Sequence, residues 1–175
     1  LRSDTPLNIT GSGCLWGLAC NGIHYLDLAS WWTGETFDRI DISGLDSQCV
    51  ESKRNEFFEI TGKKLLPFFQ VAPLCLWNQN YKRPPFSLKV EGKKYFWEIY
   101  EPNGVLSGPN GLLITGKNEL QSLMTTRLVD TLLTDGDCDL PKLSESVEMH
   151  RVYLYSLLDH WNNVHSTNVD TLPIT

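Results

Sequence analysis

The chain has 175 residues, 41% hydrophobic and 21% charged. That is enough for one domain with a real core and too little for two ordinary ones. A net charge of -6, with no concentrated Lys or Arg block, argues against a nucleic-acid or anionic-membrane surface. No apolar run approaches the roughly 20 residues that cross a bilayer.

Residues 6–10 are short, β-branched and polar-alternating, and predict a strand feeding a glycine turn at Gly11-Ser-Gly13. A helix is expected from about residue 14 to 32, stopped by Gly34. Residues 36–50 and 57–61 read as strands, and the apolar run 65–77 is broken by Pro67 and Pro73, which points to an edge strand or a bulge. A loop is expected over 78–85. Residues 86–90 and 95–100 flank Glu91-Gly92-Lys93 as a hairpin, and Glu101-Pro102-Asn103-Gly104 is the strongest turn. Residues 105–115 read as turns around a short strand.

After Gly116 the apolar period changes from two to three-four. Asn118 caps a predicted helix through Leu120, Leu123, Leu128 and Leu132, ended by Asp135-Gly136-Asp137. Ser144 caps a second through Val147, Arg151, Leu154 and Leu158, and residues 162–168 read as a polar tail. A first helix, several strands with hairpin signals and two closing helices make an α+β pattern. Its expected form is a mostly antiparallel or mixed open-faced sheet with helices on one face, in a single domain over 1–175.

The first helix is the one place that looks like chemistry. Cys20, His24, Asp27 and Trp31 are spaced by four, three and four, which predicts one shared face carrying a thiol, an imidazole and a carboxylate. His24 reads either as a hydrogen-bonded core residue or as a proton relay near neutral pH. Cys20 is either a small buried residue or a nucleophile with His24 as its base. Asn21 offers a donor and an acceptor for a hydroxyl, or a backbone bond near the helix start. Asp27 reads as an orienting partner, and Trp16 as a stacking platform or core residue. Cys14, Cys20, Cys49, Cys75 and Cys138 lack Cys-x-x-Cys spacing, so reduced thiols in a cytoplasmic protein are expected. No His, Cys or Glu spacing predicts a metal. Gly11-Ser-Gly13 lacks the third glycine of a dinucleotide fingerprint, so no cofactor-binding residues are expected on this chain.

Gly13 followed by Asn21-Gly-Ile-His-Tyr-Leu-Asp-Leu28 and closed by Thr33-Gly34 resembles the helix that opens the C-terminal domain of the Gfo/Idh/MocA oxidoreductases. Cys138-Asp-Leu-Pro141 with Glu145-Ser146 and His150 resembles the segment joining the last two helices in sugar-modifying members. In that family the helix often reads Asp-x-x-x-His-x-x-Asp. The first Asp and the His stand beside the substrate hydroxyl, with a lysine from the preceding nucleotide-binding domain. Here His24 and Asp27 fill the second and third positions, and Cys20 replaces the first Asp. The resemblance implies catalytic roles for His24 and Cys20, and substrate-binding roles for Asn21, Trp16 and Asp27. It also implies a sugar-type substrate, NAD or NADP held mainly by an N-terminal Rossmann domain, and a homo-oligomer formed through the sheet. The chain begins Leu1-Arg2-Ser3-Asp4 without methionine, so that Rossmann domain is expected to precede it. The remaining expectation is a non-catalytic carbohydrate-binding or scaffolding module that uses the aromatic strand Tyr95, Phe96, Trp97 and Tyr100.

Overall fold

The computed structural model describes residues 7–14, 16–51, 58–67, 74–79, 86–117, 121–138 and 140–173. In chain order these form β1 (Asn8–Cys14), α1 (Leu18–Thr33), β2 (Ile40–Glu51), β3 (Phe58–Pro67), β4 (Leu74–Gln79), β5 (Ser87–Glu91), β6 (Phe96–Tyr100), β7 (Val105–Ser107), β8 (Leu113–Thr115), α2 (Gln121–Asp135) and α3 (Leu143–His165). The strands make one mixed sheet in the order β2-β3-β4-β1-β5-β6-β7-β8. Among the described strands only β1 and β4 run parallel, with Ile9 opposite Leu74 and Cys14 opposite Gln79. The expected α+β class is therefore met.

β1 lies inside the sheet and alternates buried and less buried residues along its length, the period of a strand with one face on the core. Leu7 and Ile9, with Ile60 of β3 and Leu88 and Val90 of β5, meet Leu18, Ile23, Leu26 and Ala29 of α1 and Met149, Tyr153 and Leu157 of α3. Both helices share this one core and touch each other. The Tyr153 hydroxyl donates to the Leu18 carbonyl. Gly22 makes that possible, because a Cβ there would collide with the Tyr153 hydroxyl.

α1 starts after Gly17 and stops at Gly34, both with φ in the left-handed region at 78° and 76°, where glycine carries no Cβ penalty. The Gly34 N–H donates to Ser30, so the stop read from sequence holds. Its start does not: the helix begins at Leu18 rather than near residue 14, because Gly11-Ser-Gly13 is not a turn. It continues β1, hydrogen-bonded between β4 and β5. Glycine serves close approach there, since a Cβ on Gly13 would lie 2.7 Å from the Phe86 backbone.

Four further expectations are corrected. β4 is an interior strand between β3 and β1, although the run containing it was expected at an edge. β3 carries irregular register against both neighbours between Ile60 and Leu66, whereas Pro67 pairs with Ile40 in regular step with Asp41–Leu66, so the bulges do not sit at the proline. Residues 105–115 form two short strands, β7 and β8, paired as a hairpin around a 3-10 turn at Pro109–Gly111. α3 runs through residues 162–165, expected as tail. The buried Trp161 and the His160 ring, which meets the Asp46 carbonyl at 3.0 Å, hold that polar end against β2. Lys142 rather than Ser144 caps α3, with Glu145 bonding back to it. The β5–β6 hairpin matches its expected position, and Lys89 pairs across it with Glu98 at 3.1 Å. Asn118, the expected cap of α2, and the loop over 80–85 lie outside the described residues. No helix among the described residues is long and apolar enough to cross a membrane.

Candidate functional site

One side of α1 and the β5–β6 part of the sheet enclose a groove of 570 Å³ lined by Trp16, Asn21, His24, Tyr25, Leu28, Phe86, Leu88, Ile99 and Glu101. The sequence explains its shape. Ile23 and Leu26 turn into the core, so Asn21, His24, Tyr25 and Leu28, at three-four spacing on the adjoining face, overhang the sheet. The Asn21 amide donates to the Trp16 carbonyl at 2.7 Å, which fixes the segment entering the helix and the indole it carries. Trp16, Tyr25 and Phe86 form an aromatic floor, with centroids 5.4 Å apart for Trp16–Tyr25, 4.6 Å for Trp16–Phe86 and 4.3 Å for Tyr25–Phe86. The Tyr25 hydroxyl donates to Glu101 Oε2 at 2.7 Å. Burial, helped by the Glu101 carboxylate, pushes the Tyr25 phenol far above its ordinary range, so it stays protonated and acts as a donor.

The predicted stripe of four residues is divided between two faces. His24 is exposed and joins Trp16 and Asn21 in the groove. Asp27 and Trp31 line a second depression of 420 Å³ with Ser30, Gly34, Cys138 and Glu145. Cys20 lines neither, and its thiol donates to the Gly17 carbonyl at 3.6 Å. Asp27 Oδ1 is buried without a hydrogen-bond partner. Burial raises the Asp27 pKa, and His150 and His24 oppose that shift. The separation follows from position: residues 21, 24, 25 and 28 centre on one side of the helix, and 27, 30, 31 and 34 on another.

Sequence reasoning missed Tyr25, Leu28, Phe86 and Glu101. Tyr25 and Leu28 carried a usable signal, being neighbours of His24 on the helical net. Glu101 lies 76 positions from Tyr25 and carried none. Among the described residues no cluster of three His, Cys, Asp or Glu side chains could hold a metal ion. The best glycine-rich candidate for a dinucleotide phosphate, Gly11 to Gly13, is an extended strand paired on both sides. It therefore offers no turn of inward N–H groups.

The chain matches no protein-family model and no curated protein sequence. Its fold does recur in solved structures, several of them of oxidoreductases. UDP-N-acetylglucosamine 3-dehydrogenase from Acidithiobacillus ferrooxidans superposes with a TM-score of 0.56 at 12% identity, over 90% of this chain and 53% of that one. A candidate NADPH-dependent oxidoreductase from Desulfitobacterium hafniense gives 0.54 at 16% identity, over 87% and 54%. A super-repressor mutant of Gal80p from Saccharomyces cerevisiae gives 0.51 at 12% identity, over 95% and 57%. The chain thus spans little more than half the length of these structures. At such identities the likeness is one of fold alone, and this chain's α+β arrangement recurs over little more than half of each of those chains.

Proposed function

We propose that this chain is the substrate-binding and oligomerisation domain of an NAD(P)-dependent oxidoreductase acting on a sugar or sugar derivative. A nucleotide-binding Rossmann domain would precede Leu1. The observation that carries the reading is the groove: an aromatic floor of Trp16, Tyr25 and Phe86 below the polar side chains of Asn21 and His24. Aromatic faces receive the apolar face of a sugar ring, while a few placed polar groups fix its hydroxyls. When bound, the nicotinamide gives or takes the hydride. His24 holds the proton of the reacting hydroxyl, which an imidazole does well near neutral pH. Asn21, its amide committed to Trp16, accepts a second hydroxyl through its carbonyl oxygen. Asp27 lies on the other face of the helix, away from the groove, and Cys20 contributes packing and a bond to Gly17 rather than a carboxylate.

The sheet supports the assembly role. Tyr95, just before β6, Phe96 of β6 and Leu113 and Ile114 of β8 are exposed, large apolar side chains of the kind a second copy covers. Hydride transfer needs the reacting atoms held about 3–3.5 Å apart, and this groove supplies one wall. The 175-residue chain alone is therefore inactive and does not hold NADH tightly.

The test is an NAD(P)H-coupled assay of the whole polypeptide against neutral sugars, with the isolated chain alongside. Turnover is expected from the whole protein only, falling about 10²–10⁴-fold in His24→Ala. Tight NADH binding by the isolated chain, or full turnover in His24→Ala, overturns the reading. One observation favours a second reading, a non-catalytic carbohydrate-binding module: Cys20 stands where the resemblance puts an acid. That module would bind sugar without turnover, and with an affinity unchanged in His24→Ala.

A further inference from the structure

The dipeptide Asn-Gly occurs at Asn21-Gly22, Asn103-Gly104 and Asn110-Gly111. This pair is chemically unstable, because glycine has no Cβ to hold its backbone nitrogen away from the asparagine side chain. That nitrogen can attack the side-chain amide carbon wherever the backbone can rotate and the side chain can swing over it. The fold gives the three pairs very different freedom. Asn21 and Gly22 lie inside α1, whose regular hydrogen bonding fixes both backbones. The Asn21 amide is committed to the Trp16 carbonyl at 2.7 Å, and Gly22 is buried against Tyr153. Gly104 donates its N–H to the Glu101 carbonyl at 3.0 Å, and the Gly116 carbonyl fills the place a Cβ would take.

Asn110 and Gly111 are both exposed at the tip of the β7–β8 hairpin. The turn's bonds run from the Gly108 N–H to Leu112 and from the Leu112 N–H to Pro109, so they bracket the pair without using it. Among the described residues the Asn110 side chain makes no hydrogen bond, and nothing lies within 4 Å of where a Gly111 Cβ would stand. We propose that Asn110 is a self-modification site, at which the folded chain deamidates in preference to its other two Asn-Gly pairs. The Gly111 nitrogen bonds to Asn110 Cγ and gives up its proton, the Cγ–Nδ2 bond breaks, and the amide leaves with that proton as ammonia. Water then opens the cyclic imide at either carbonyl, leaving aspartate or isoaspartate and one new negative charge. Residues 105–116 carry no ionisable side chain, so the hairpin changes from neutral to acidic beside the exposed Leu112 and Leu113. The inference is independent of the sugar-binding reading.

The experiment incubates the folded protein in mildly alkaline buffer beside a sample unfolded in urea. Conversion at each pair is followed by peptide mapping with mass spectrometry and by enzymatic methylation of isoaspartate. In the folded protein Asn110 is expected to convert at least about tenfold faster than Asn21 or Asn103, since exposed tips open far more readily than helices and packed turns. In urea the three pairs should convert at similar rates. Asn110→Gly suits the left-handed φ of 58° at that position and removes the reacting amide, so ammonia release from the folded protein should fall by the same factor, with an unchanged thermal melt as the check on folding. Equal rates at the three pairs in the folded protein, an Asn110 that stays intact there, or ammonia release undiminished in Asn110→Gly overturns the proposal.

Discussion

α1 and α2 are close in length, 16 and 15 residues, and both carry apolar residues at three-four spacing. α1 buries Leu18, Ile23, Leu26 and Ala29 in the core and is bounded by two left-handed glycines. Every side chain described on α2 is exposed, among them Leu123, Met124, Leu128, Leu132 and Leu133. An apolar stripe therefore says which way a helix will face, while its burial depends on a second surface shaped to meet it. For α1 that surface is the sheet and α3, down to the notch at Gly22 that admits Tyr153. Most helical stability comes from such packing rather than from propensity.

The largest expected effect tests this contrast directly. Leu26 is 0% exposed and Leu133 79%. Leu26→Ala should cost about 2–5 kcal/mol in urea denaturation, and Leu133→Ala less than about 0.5 kcal/mol. Equal losses would break the comparison. Next comes Gly22→Ala. On an open helix this change gains about 1 kcal/mol; here the new Cβ meets the Tyr153 hydroxyl, and a net loss of about 1–3 kcal/mol is expected. Tyr153→Phe should relieve part of that loss, so a double-mutant cycle should show coupling between the two sites. Additive losses would mean the notch is not the cause.

The smallest effect concerns the other face of α1. Burial raises the Asp27 pKa in the folded chain, so folding is favoured with Asp27 protonated. The stability contributed by this group is complete below the unfolded value of about 3.9 and is lost as pH rises through the folded value. Asp27→Asn should therefore stabilise the protein at neutral pH, by no more than about 1 kcal/mol, and the gain should fade in acid. The matching change Asp130→Asn on α2 should stay within about 0.5 kcal/mol at pH 7. Thermal melts of both variants across the acid range check this.

Local signals were legible in the sequence and long-range ones were not. Gly34, the β5–β6 hairpin and the turn at Glu101-Pro-Asn-Gly104 declare themselves because their causes lie within a few residues. Gly13 suggests a turn in sequence because a glycine in a turn and a glycine admitting a neighbouring backbone look alike there. Phe86, which tells them apart, is far along the chain. The site divides in the same way. His24, Asn21 and Trp16 fall together in one groove, as three-four spacing allows. Asp27 falls on the other face because the overhang is centred nearer residues 21, 25 and 28 than the Cys20–Trp31 line. Only the sheet reveals where that centre lies.

The order of strands has a consequence for how the chain assembles in time. β5, β6, β7 and β8 join successive neighbours through short turns, and contacts so close in sequence form early. β1 must wait for β4, a parallel partner reached only after α1, β2 and β3 have been traversed, and closing that span is slow. In refolding followed by pulsed hydrogen exchange, amides of the β5–β8 meander gain protection first. The β1–β4 ladder and the Tyr153–Leu18 tie are sealed last, so the groove, whose walls join α1 to β5 and β6, is among the final features to appear.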